Sequence, residues 1–155
     1  MDRYDLWFAF VREMEVHAQK LTGSAKIDDW LPALPEPDGD FMVLAGFVGK
    51  YSNCGSFTDS ARSWRDHHET LARALTRFGY TQEASMLDTA AGLEDQLREE
   101  DEPSAELEDA CEAMEDACMI NPEVIMERIL ADPAQFAVDP RRLIEEPFTG
   151  RSEVR

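Results

Sequence analysis

Residues 59–100 read DSARSWRDHHETLARALTRFGYTQEASMLDTAAGLEDQLREE, and two helices joined by a glycine turn account for their pattern. Trp64, His67 or His68, Leu71, Leu75 and Phe78 recur at the spacing of one helix face, which predicts a helix from about Asp59 to Phe78. Gly79 stands where a left-handed residue ends a helix, because glycine has no Cβ to clash there. Thr81 offers a cap to a second helix reaching about Glu100. Its inward residues are Met86, Ala90, Leu93 and Leu97, and Glu94, Asp95 and Glu99 are among the outward ones.

The rest of the chain repeats this grammar. Leu6, Trp7, Phe10, Val11, Met14 and Leu21 place an amphipathic helix at residues 3–21. Residues 22–40 hold Gly23, Pro32, Pro35, Pro37 and Gly39 and read as a connector, pinned by Trp30 and Leu31. The run from Phe41 to Tyr51 is apolar almost all round; a buried helix is favoured over a strand. Asp101, Glu102 and Pro103 interrupt the pattern, Ser104 caps a new helix, and Leu107, Ala110, Cys111, Met114, Ala117 and Cys118 mark its buried stripe. Asn121-Pro122 and Asp139-Pro140 are further helix starts, and residues 147–155 form a flexible tail. The expected fold is therefore all-α, an irregular helical bundle of one domain, as 155 residues suggest.

The acids are not spread evenly along the chain. The formal net charge is −18. Residues 1–82 carry 12 acids and 9 bases, residues 128–155 carry five of each, and residues 83–127 carry 16 acids and only Arg98. A general acidification would not spare both ends. Ordinary helix surfaces also interleave the two signs, because like charges three or four residues apart each cost about 0.2–0.5 kcal/mol. An unrelieved run in a domain whose whole margin is about 5–15 kcal/mol points to a binding surface. Its residues are Glu94, Asp95, Glu99, Glu100, Asp101, Glu102, Glu106, Glu108, Asp109, Glu112, Glu115 and Asp116. Six carboxylates between residues 106 and 116 span about 15 Å of helix, one per roughly 2.5 Å. Duplex DNA presents one charge per about 1.7 Å. Reversing Glu108, Glu112 and Glu115 together is expected to weaken partner binding severely while preserving or improving stability.

Other chemistry finds little support. His17, His67 and His68 do not form a metal-ligand set, and there is no phosphate-cradling glycine loop, nucleophile elbow or calcium loop. Glu108, Asp109 and Glu112 look like the first half of the magnesium motif of helical nucleotide pyrophosphohydrolases, but a following Glu and Asp three apart are missing. No enzymatic activity, metal or cofactor is expected, with a magnesium-dependent nucleotide pyrophosphohydrolase as the lesser alternative. Cys54, Cys111 and Cys118 are an odd number and read as reduced thiols, the latter two as unpaired core residues. No apolar stretch matches a bilayer, and the first residues lack the pattern of a signal peptide, so the expected compartment is the cytoplasm.

Between Asn53 and Ala90 the sequence resembles a bacterial DNA-mimic protein family. The residues that carry the likeness are the turn Asn53-Cys54-Gly55-Ser56-Phe57, and then Ala74-Leu75, Phe78-Gly79-Tyr80, Ala84, Leu87 and Ala90 in the family's register. Ser56 stands where the family has a second glycine. The resemblance implies an all-α fold, is compatible with a homodimer, and implies a carboxylate surface that occupies the DNA site of a regulator, restriction or defence protein. The expected partner is thus a basic DNA-binding protein, with no direct hold on nucleic acid or membrane. An immunity-type inhibitor of a basic nuclease toxin would use the same surface chemistry.

Overall fold

The computed structural model describes residues 1–145, and every regular element among them is helical. The tail expected at 147–155 lies outside the described residues. The helices are α1 (Arg3–Thr22), α2 (Ile27–Trp30), α3 (Glu36–Cys54), α4 (Phe57–Ser63), α5 (His68–Arg77), α6 (Thr81–Glu99), α7 (Ala105–Ala117), α8 (Pro122–Ala131) and α9 (Pro140–Glu145), with 3-10 turns at Arg65–His67 and Pro133–Gln135. No helix among the described residues is long and apolar enough to cross a membrane. By contacts the described residues divide into one unit of Met1–Met42 with 121–145, and a second of Val43–Ile120.

The first unit is built on α1, whose Leu6, Trp7, Phe10, Met14 and Ala18 are buried, and which packs on α8 and α9. The side chain of Asp2 caps α1 by accepting from the Asp5 N–H. Phe41 sits among edge-on rings, with centroids 5.4 Å from Trp7, 4.9 Å from Phe10 and 6.0 Å from Phe136. Such aromatic pairs add to area burial because the positive ring edge meets the negative face. The expected connector is more ordered than its prolines suggest. Trp30 is buried and its indole N–H donates to the Ser24 carbonyl at 2.7 Å, while α3 begins at Glu36, since prolines are tolerated in a first helical turn. Asp38 is buried there, one oxygen accepting from the Ala137 N–H at 3.2 Å, and burial pushes its carboxyl up.

In the second unit α4 and α5 pack on α6, and α7 covers α4 and α6. Phe47, Phe57, Leu71, Leu75 and Leu87 are buried in it. The helix expected from Asp59 to Phe78 is instead broken at Trp64, whose ring packs on α3. A Cβ on Gly46 would overlap the Trp64 ring, so the indole lies on the bare glycine backbone. Trp64 leaves helical geometry at φ −102° and ψ 19°. Gly79 does take the left-handed conformation at φ 86°. Thr81 does not cap α6: the preceding Tyr80 holds that position without a side-chain hydrogen bond.

Candidate functional site

The twelve carboxylates separate into two groups once the helices are assembled. Three of them are engaged inside the second unit. Glu94 is buried, on the same inward stripe as Leu87, Ala90 and Ala91, contrary to its expected outward position. It accepts from the Thr58 hydroxyl at 3.0 Å and from Arg98 Nε at 3.1 Å, and Arg98 also reaches Asp59 at 2.9 Å. Buried charge of this kind is tolerated when hydrogen bonds and an opposite charge replace water. Met86, Leu93 and Leu97, expected inward, are only half-buried. Asp95 lies between Arg65 at 2.5 Å and Arg62 at 2.9 Å. Hydrogen bonds from Arg65 and then Arg62 hold its carboxyl below the ordinary range. These bases come from α4 and the turn after it, thirty or more residues upstream, where a count along α6 does not find them.

Glu115 is the third. Ser104 caps α7, its hydroxyl accepting from the Leu107 N–H at 3.1 Å, and Leu107 is buried. Ala110, Cys111, Met114, Ala117 and Cys118 are half-buried, so the two cysteines are free thiols at the edge of the packing and not core residues. Burial nonetheless raises both thiols above their ordinary range. On the same side Glu115 accepts from the backbone N–H of Phe57 and, at 3.4 Å, of Thr58. It thereby caps α4 together with Ser56, which accepts from the Asp59 N–H at 3.1 Å. A carboxylate suits that place, because the first amides of a helix lack partners and carry the positive end of its dipole.

Burial raises the Glu115 carboxyl and the two amides oppose that rise. The native state therefore holds this proton more tightly than the unfolded chain. The contribution is fully present below the ordinary value of 4.5 and is lost as pH rises through the higher native value. Glu115→Lys is expected to lower stability by about 2–3 kcal/mol, since it strips two amides of their acceptor and sets a cation against a helix N-terminus. Glu115→Gln keeps an acceptor and is expected to flatten the acid limb of the stability profile. Urea unfolding followed by circular dichroism from pH 4 to 8 checks both.

The other nine, Glu99, Glu100, Asp101, Glu102, Glu106, Glu108, Asp109, Glu112 and Asp116, are all exposed. Among the described residues none of them pairs with a cation. Glu108, Glu112 and Asp116 recur every four residues on α7, so they form one stripe, with Asp109 beside it. With Glu115 turned inward, five free carboxylates from Glu106 to Asp116 remain on about 15 Å of axis, one per roughly 3 Å. Among the described residues no three His, Cys, Asp or Glu side chains are grouped to hold a metal ion.

A further polar contact was not visible in the sequence. His68 brings one ring nitrogen to 2.7 Å from an Asp88 oxygen and the other to 2.6 Å from the Ala61 carbonyl, tying α5 to α6 and α4. The adjacent His67 and His68 gave no signal of this, because Asp88 is twenty residues away. Comparison of the chain with protein-family models, with curated proteins and with solved structures gave no match.

Proposed function

We propose that the chain binds the basic DNA-binding surface of a partner protein through the exposed carboxylates between Glu99 and Asp116, and so blocks that partner's access to DNA. The observation that carries this reading is the set of nine exposed acids without a cation partner among the described residues. Five of them lie on one capped helix. A DNA-binding groove holds Lys and Arg placed for phosphates, and carboxylates at fixed spacing can meet the same side chains without a nucleic acid. Their field also speeds encounter with a positive surface. The resemblance of residues 53–90 to DNA mimics points the same way. Net charge of −18 disfavours a direct hold on DNA.

The test is displacement. A fluorescent duplex is bound to basic DNA-binding proteins of the source organism, and the chain is titrated in over a range of salt. Release of duplex is expected, with affinity falling as salt rises, because both surfaces exchange nearby ions for each other. Binding that is indifferent to salt and leaves the duplex in place would overturn the reading. Capture of a nuclease whose activity is lost would assign the same surface to immunity.

A further inference from the structure

Among the described residues helix α1 carries an unpartnered surface of a different kind. Phe8 is 54% exposed, Tyr4 and Met1 45% each, and Val16 36%. Tyr4 and Phe8 meet edge to face at 4.9 Å, so the apolar patch is continuous. Asp5, Phe8, Arg12 and Val16 are all exposed and, at 3.6 residues per turn, fall within about 80° of the helix circumference. Asp5 and Arg12 are about 10.5 Å apart along the axis, too far to pair with each other. Neither makes an ion pair with another described residue.

The two charges of this face are placed symmetrically about the point between Phe8 and Ala9, acidic Asp5 mirroring basic Arg12. We propose that this face docks a second copy of the chain, with the two α1 helices packed antiparallel. A two-fold axis at that point sets each Asp5 against the second copy's Arg12. It brings the two Phe8 rings together at the centre, as an isologous interface requires. A parallel pairing would instead set acid on acid and base on base. Charge allows the approach here. Residues 1–22 hold four acids and three bases in a chain of net −18, so α1 is close to neutral. One helix pair buries less than the roughly 1,200 Å² of a standard interface. The dimer is therefore weak and its population follows concentration. This inference does not depend on the proposed partner.

Sedimentation velocity on the full chain, from micromolar to near-millimolar concentration, tests it. Wild type is expected to pass from monomer to dimer. Asp5→Arg alone or Arg12→Asp alone opposes like charges at two places and is expected to move the midpoint at least about tenfold higher. The double variant D5R/R12D restores opposite charges only in the antiparallel arrangement, and is expected to recover the wild-type midpoint. Circular dichroism confirms that each variant is folded. A wild-type chain that stays monomeric overturns the proposal and leaves the face to another protein. It is equally overturned by single variants that dimerise as wild type does, or by a double variant that does not recover.

Discussion

Replacing Glu108, Glu112 and Asp116 together with lysine is expected to weaken partner binding by about 100- to 1,000-fold, roughly 3–4 kcal/mol. Each site loses an attraction of about 1 kcal/mol and gains a repulsion of similar size, less the screening by salt. Stability should stay within about 1 kcal/mol of wild type. All three side chains are exposed and none holds a cation among the described residues, so only small helix-surface terms change. The triple change that includes Glu115 would not separate binding from folding, because Glu115 caps α4. Titration of the captured partner with each variant, beside urea unfolding of the variant alone, reads both quantities. Undiminished affinity in the folded triple variant would show that the stripe on α7 is surface and nothing more.

The largest effect on folding is expected at Phe41. Its side chain is fully buried and its ring touches those of Trp7, Phe10 and Phe136. Phe41→Ala removes the transfer energy of the ring and leaves a cavity that α1, α3 and the turn at Phe136 cannot fully close. The expected loss is about 3–5 kcal/mol, a large share of a margin of about 5–15 kcal/mol. The urea midpoint should fall with little change in slope. Phe8→Ala, on the same unit but 54% exposed, is expected to cost less than about 1 kcal/mol, because little of its surface leaves water. Equal losses at the two positions would contradict the burial described for α1 and α3.

The helices were legible because their signals are local. Ser104, Asn121 and Gly79 mark ends through chemistry within three residues of themselves. Apolar spacing likewise identified the buried run after Phe41. Long-range contacts were not legible. Trp64, at the break between two helices, packs its ring on Gly46, and no pattern near residue 64 reports a glycine on another helix. The same limit applied to the carboxylates. Glu94, Asp95 and Glu115 looked unrelieved because Thr58, Arg62, Arg65 and the amides of α4 are distant in sequence. For Glu99 to Glu112 and Asp116, the local count and the assembled surface agree.

The placement of the three tryptophans has a spectroscopic consequence. Trp7 and Trp30 are buried in the first unit, whereas Trp64 is half-buried in the second and lies on Gly46. An indole in an apolar setting emits at shorter wavelength than one that meets water, so Trp64 is expected to emit at longer wavelength than Trp7 and Trp30. With Trp64→Phe the remaining emission follows the first unit alone; with Trp7→Phe and Trp30→Phe it follows the break between α4 and α5 alone. A fluorescence melt thus resolves the chain into two natural optical channels, with no dye attached.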